Sequence, residues 1–355
     1  MVHSRRAAVQ LEPRQLVAAS PALDALHARV LATGGSVASA IDLAVELGPS
    51  VPLPGLGQTP ELWSTLATIA AADVSVARVV EPHLDALAVL AQLPGVADLG
   101  VVGADGRSAW GVFAAEGAGL RVTATSRDGS WMLDGVKPWC SLAGRLSHAL
   151  ITAHTPGGRR LFAIDLAHNG VRLRQGEWFA RGLPGVESGP IELGSVPAVP
   201  IGDDGWYLSR PGFAWGGIGV AAVWWGAAIG IARTLEESVR TGDPDQIALM
   251  HLGATDLQVE IGRLALAAAA ASVDRDEPGR GETRILAQRT RSIVAGSTEE
   301  IIRRCGHAMG PAPLALDARH AGRVADLELY LRQDHAERDE AELGRSLLTR
   351  EARPW

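Results

Sequence analysis

Apolar residues recur at three- and four-residue spacing from about residue 11 to residue 92, most regularly over 13–32 and 60–93. That is the period of helices laying one face on a core. The stretch between them, GPSVPLPGLGQTP at 48–60, is too rich in proline and glycine to continue either helix. Near Leu99 the texture changes to alternating apolar and polar residues, with Asp105-Gly106 and Asp128-Gly129 as hairpin signals. Further strand-like runs fall at 148–154, 159–166, 170–175 and 189–201. After Gly205 the helical period returns over 212–241, 245–275, 281–308 and 315–348, separated by short breaks rich in proline and glycine. Four long helices with short connections predict an antiparallel bundle. The expected fold class is α+β: an N-terminal helical domain (1–98), a central antiparallel β domain (99–204) and a C-terminal four-helix bundle (205–355).

One segment raises the question of a membrane. Residues 213–232, FAWGGIGVAAVWWGAAIGIA, carry no charge over about the length that spans a bilayer, and Gly226 and Gly230 have the spacing of a helix-packing pair. The segment is solitary, glycine-rich and flanked by helices with charged faces, so the expectation is the buried central helix of the bundle, with no membrane partner. Trp215, Trp224 and Trp225 in it either fill core or narrow a pocket.

The formal charge of −7 and the absence of a clustered basic face argue against nucleic acid. Of the 33 basic residues only Lys137 is a lysine. Two cysteines, Cys140 and Cys305, give neither a zinc spacing nor a disulfide framework, and no metal site is expected. No apolar run of signal-peptide length opens the sequence, so the expected location is cytoplasmic.

Chemistry enters through residues 128–144, DGSWMLDGVKPWCSLAG, a strand pair followed by Trp139 and Ser141. The motif resembles the Asn/Asp-Gly-x-Lys-x-Trp-x-Thr/Ser segment of the acyl-CoA dehydrogenase superfamily of flavoproteins. The domain order and the passage from GPIELGSVPAVPIGDDGW into an uncharged helix are similar to that family as well. The resemblance covers about residues 1–350 and implies that Trp139 packs on the isoalloxazine face and that the Ser141 hydroxyl approaches flavin N5. It also implies that WGVFAAEGAGLRV at 110–122 is a cofactor loop, with backbone groups from Val112 and Phe113 and close approach at Gly117–Gly119. Phe113 and Leu120 stand where the family has hydroxyl residues, and ALMHLGATDLQ at 248–258 keeps Leu252-Gly253 and Gln258 but lacks the arginine of the family's adenine-side contacts.

The family's reaction removes an α-proton from an acyl thioester with a carboxylate while the β-hydrogen leaves as hydride to flavin N5. The usual Glu-Gly-Thr motif is missing. AGSTEEI at 295–301 imitates it with Ala295 in the glutamate's place, and Ser297 with Glu300 has the spacing of a helix cap. The counterpart is expected within 326–345: one register gives Gln333 or Asp334, the other falls among Glu340, Ala341 and Glu342, and His335 reads as a surface residue. What the resemblance implies is an FAD-dependent oxidoreductase acting on an acyl-CoA or related thioester, as a homodimer or homotetramer. Two alternatives stand beside it: a base-lacking subunit of a hetero-oligomer, and a flavin-dependent monooxygenase on the same scaffold.

Overall fold

The computed structural model describes residues 7–12, 20–174, 178–275 and 280–350, so the first part of the helix expected from residue 13 and the last residue of the strand expected at 170–175 lie outside the described residues. Among the described residues four helices come first: α1 (Pro21–Ala32), α2 (Val37–Leu47), α3 (Thr59–Ala72) and α4 (Val74–Ala91). Ser20, Ser36 and Asp73 cap α1, α2 and α4 by accepting hydrogen bonds from first-turn N–H groups. α3 is buried on nearly its whole circumference, and α4 packs against α2, α3 and the sheet.

Seven strands follow: β1 (Trp110–Phe113), β2 (Val122–Arg127), β3 (Ser130–Lys137), β4 (His148–Thr155), β5 (Gly158–Asp165), β6 (Val171–Leu173) and β7 (Ile191–Ile201). The expected β2–β3 hairpin forms at Asp128-Gly129, both with positive φ (52° and 81°), as a two-residue turn of primed type requires. The other expected hairpin does not. Leu99–Val102 is a 3₁₀ turn, and Asp105-Gly106 lies in a loop in which the Asp105 carboxylate accepts from the Arg107 N–H. The sheet is also mixed rather than purely antiparallel, since β1 and β2 both pair with β4 in parallel. Alternation along one strand identifies the strand and its tight turns but carries no information about a partner reached by a long crossover. Successive β4 residues feed opposite faces: Ala149 and Ile151 enter one core, Leu150 the other, which α4 shares through Ala86 and Val89.

The C-terminal part contains α5 (Trp206–Ser209), α6 (Pro211–Thr241), α7 (Gln246–Asp274), α8 (Arg280–Met309), α9 (Ala312–Leu316), α10 (Ala318–Leu331) and α11 (Glu337–Leu348). α6 is the central helix, packed against α3, α4, α7, α8 and α10. It is the one helix among the described residues long and apolar enough to cross a membrane, and 78% of its most apolar window is buried inside the protein. Gly226 and Gly230 face α3: a Cβ on Gly226 would lie 2.2 Å from the Ala67 carbonyl oxygen. The small-residue pair is therefore an intramolecular contact. Trp224 and Trp225 fill core, and Trp215 lines a cavity. The fourth long helix is divided: it breaks over 332–336, with Ala336 at φ 48°, a conformation unusual for a residue with a Cβ.

Candidate active site

β3 ends in Lys137, whose ammonium is buried and donates to Glu116 Oε1 (3.0 Å), the Thr152 carbonyl (3.0 Å) and Thr152 Oγ1 (2.7 Å). Glu116 also meets His154 Nε2 at 3.2 Å and Arg159 at 3.3 Å. Glu116 thus ties the 114–120 loop to the end of β3 through Lys137, to β4 through His154 and to β5 through Arg159. Past Pro138 the chain turns through Trp139 and Leu142, both at φ 59°. Backbone bonds from Cys140 N–H to Gly189 O and from Leu142 N–H to Glu187 O strap this turn to the segment before β7. Held in that left-handed conformation, the Trp139 indole is 62% exposed. Cys140 points inward, and burial pushes its thiol up to about 12, so it is no nucleophile.

Ser141 is half-buried and faces α4. Its hydroxyl lies 2.7 Å from Ser188 Oγ and accepts from Arg78 Nη2 at 3.1 Å. Arg78 belongs to α4, and with Glu81 and Asp85 it forms a charged stripe at i, i+3 and i+7 on an otherwise apolar helix. Arg78 Nη1 lies 3.8 Å from Glu81 Oε2, too far for a hydrogen bond, and has no hydrogen-bond partner. Tyr330 of α10 donates its hydroxyl proton to the same Glu81 oxygen at 3.0 Å, beneath the Arg78 guanidinium at 5.4 Å from the ring centre. Burial, opposed by Arg78, Tyr330 and Arg291 and reinforced by Asp85, raises the Glu81 carboxyl to about 7. Asp85 is raised by burial as well, against the pull of Arg210.

Glu81 and Asp85 both line a cavity of about 40 Å³ whose other walls include Leu62, Trp63, Leu66 and Trp215. The Trp215 ring lies against Gly55, where φ is 79° and a Cβ would come within 2.6 Å of the ring. α4 thus places a carboxyl group between an apolar cavity and Arg78, and Arg78 joins it to Ser141. On the sheet side His83 is pushed down to about 4 by burial, which keeps its Nδ1 free of a proton to accept from the Trp110 N–H at 3.2 Å.

The remaining expected residues are distributed as follows. Val112 and Phe113 lie in β1, a terminal strand of the sheet paired only with β4; the Phe113 side chain is buried in the core. Gly119 has φ 74° and open space about its Cα. Asp334 sits in the break after α10, with Oδ2 accepting from the Ala336 N–H and Oδ1 buried without a partner. Its charge is felt by Arg291, which donates to the Gly217 and Gln333 carbonyls and covers the Trp224 ring. Glu340 is exposed, and Glu342 is engaged with Arg284 of α8 and with Arg345, so neither joins the Ser141–Glu81 cluster. His335 is on the surface beside Asp339. Ser297 and Glu300 do not cap a helix: α8 runs continuously through them, Ser297 is buried and Glu300 pairs with Arg303 and Arg304. A cap spacing is a local signal, and here a longer helix overrides it. The residues that the sequence reading missed are Arg78, Glu81 and Asp85, and the signal for them was that charged stripe on an apolar helix.

No family model and no curated protein matches the sequence. Solved structures do. Glutaryl-CoA dehydrogenase from Mycobacterium smegmatis superposes with a TM-score of 0.75 at 17% identity, over 96% of this chain and 97% of that one. The chain has the acyl-CoA dehydrogenase fold. Dibenzothiophene monooxygenase (TdsC) from Paenibacillus sp. A11-2, solved also with FMN bound, matches with a TM-score of 0.74 at 19–20% identity, over 95% of this chain and 99% of that one. KijD3, in complex with FMN and a dTDP-linked amino-keto sugar, matches with a TM-score of 0.75 at 18% identity, over 93% and 94%. The acyl-CoA dehydrogenase fold is thus shared, at similar distance, with a thioester dehydrogenase and with a monooxygenase.

Proposed function

We propose that this protein is a flavin-dependent oxidoreductase that oxidises an acyl thioester at Cα–Cβ, with Glu81 as the base. The observation that carries the reading is the chain of contacts from Ser141 through Arg78 to Glu81: it joins the expected flavin neighbour to a buried carboxyl raised to about 7. A base with that affinity for protons is half ionised at neutral pH and takes a proton readily once ionised. The fit to a flavin rests on an exposed indole fixed by a left-handed backbone, an outer edge of β1 without a strand partner, and the unpaired buried Nη1 of Arg78. When bound, the flavin would accept the β-hydrogen as hydride. Trp139 would supply a stacking wall, Val112, Phe113 and Gly119 the backbone edge, and Ser141 a hydroxyl held in place by Arg78 and Ser188. Asp334 is a weaker candidate for the base: it accepts from the Ala336 N–H, its charge acts on Arg291, and it does not line the cavity. A carboxyl in the position of Glu81 supports a subunit with its own base over a base-lacking one.

The residues fit the isoalloxazine end; FAD, the cofactor of the resemblance, and FMN differ beyond it, and mass spectrometry of the released cofactor distinguishes them. A homo-oligomer in the cytoplasm belongs to the same proposal, supported by the exposed apolar row Met250, Leu257, Ile261 and Leu264 along α7. The deciding experiment is an absorption spectrum of the purified protein reconstituted with FAD or FMN, followed by anaerobic titration with acyl-CoAs. Bleaching by a thioester is the expected result, and failure to bind either flavin would remove the reading. The second reading, a monooxygenase, is favoured by the equal likeness to TdsC. It predicts no bleaching by any thioester, together with substrate-dependent oxygen uptake by the reduced holoenzyme.

A further inference from the structure

α4 brings two carboxyl groups to the cavity. Glu81 and Asp85 are four residues apart, which places both on one helix face with Cβ atoms about 5–6 Å from each other. Among the described residues nothing makes a side-chain hydrogen bond to Asp85, although both carboxyls line the same apolar cavity. Gly216 on the facing helix leaves space for it: a Cβ there would come within 2.8 Å of Asp85 Oδ1. A carboxyl group that lines an apolar cavity without a side-chain hydrogen bond is available to a ligand that enters there. Burial raises both carboxyls, and two this close do not both ionise readily, so the pair shares a proton. The Tyr330 hydroxyl and the Arg78 guanidinium beside Glu81 favour its ionised form and leave the proton to Asp85, which no side-chain hydrogen bond stabilises as an anion.

We propose that Asp85 is a second catalytic residue whose carboxyl O–H donates a hydrogen bond to the thioester carbonyl oxygen while Glu81 takes the proton from the adjacent α-carbon. The carbonyl oxygen and the α-carbon are substituents of one atom, so groups an i, i+4 step apart straddle them. The inference rests on the α,β-oxidation reading. The electron pair of the broken Cα–H bond becomes the new Cα=Cβ bond as the β-hydrogen leaves as hydride, which a bound flavin would accept. Asp85 shares its proton without giving it up, and ends the step as it began. With Trp215 packed on Gly55 the cavity is about 40 Å³, so the acyl group is short.

The test is exchange of the α-hydrogens of a short acyl-CoA into D2O, followed by NMR on chemically reduced holoenzyme, where hydride transfer is blocked and proton abstraction stands alone. The wild type is expected to exchange. Asp85→Asn, which keeps a donor, should stay within about tenfold, and Asp85→Leu should lose about 100- to 1,000-fold, the usual loss for one donor to a developing oxyanion. Where Asp85→Leu does not fold, Asp85→Ala reads the same loss. If the donorless variant that folds exchanges as fast as wild type, the role of Asp85 is overturned while the reaction stands. If the wild type neither exchanges nor is bleached by any thioester, the reaction itself is overturned and the role of Asp85 with it.

Discussion

On the proposed mechanism, chemistry and stability meet at Glu81. Substituting it with glutamine keeps the shape and the bond from Tyr330 but removes the base, so turnover with a bleaching thioester should fall by about 10²- to 10⁴-fold. In the wild type kcat/KM should be lost as pH falls below about 7, because the ionised form is the active one. Stability moves the opposite way. The folded protein holds the Glu81 proton more tightly than the unfolded chain does, so this group's contribution is full below the ordinary glutamate pKa and is lost as pH rises through about 7. Glu81→Gln should therefore melt a few degrees above wild type at pH 8.5 and alongside it at pH 4.5, read by circular dichroism. Opposite signs for activity and stability in one substitution are the mark of a functional residue held against its preference. Trp139 and Ser141 could be proposed from the sequence because Lys-x-Trp-x-Ser is a local motif. Glu81 was not: its partner Tyr330 lies 249 residues away, and Arg78 reaches Ser141 across 63, so in sequence the stripe on α4 looks like an ordinary row of helix ion pairs.

Among the elements, α6 shows how the uncharged stretch 213–232 serves the core of the protein. Its glycines let the backbones of α6 and α3 touch at Ala67 and Ala71, and Trp215 near its N-terminal end closes the cavity against Gly55. Gly226→Ala should cost about 1–3 kcal/mol in urea unfolding, because the new methyl meets a backbone carbonyl that cannot swing aside. Trp215→Ala should move acyl-chain preference toward longer thioesters, visible as a drop in KM for them without a matching gain for the shortest. The helical period identified α6, α7 and α8 well because their apolar faces repeat over eight turns or so. It missed the break between α10 and α11, since Gln333, Asp334, His335 and Ala336 include neither glycine nor proline. That break is held by side chains bonding to nearby backbone: Asp334 accepts from Ala336 N–H and Asp339 from His335 N–H.

For the molecule as a whole, helices before and after the sheet share one core, so the N-terminal helices and the bundle pack as a unit around the site. The order of the three parts could be read from changes of period along the chain; the parallel pairings of β4 could not, because each depends on a crossover. The apolar row on the outside of α7 predicts the assembly state. Leu257→Glu with Leu264→Glu should halve the mass seen by light scattering if that row is the contact between copies, and should leave the far-ultraviolet spectrum unchanged. Lys137, finally, is the sole lysine in 355 residues, and its amine is sealed beneath Glu116 and Thr152. An acylating reagent therefore finds no lysine on the native surface. Any lysine adduct recorded over time counts molecules in which the end of the central hairpin has come open, a chemical clock for unfolding that needs no added label.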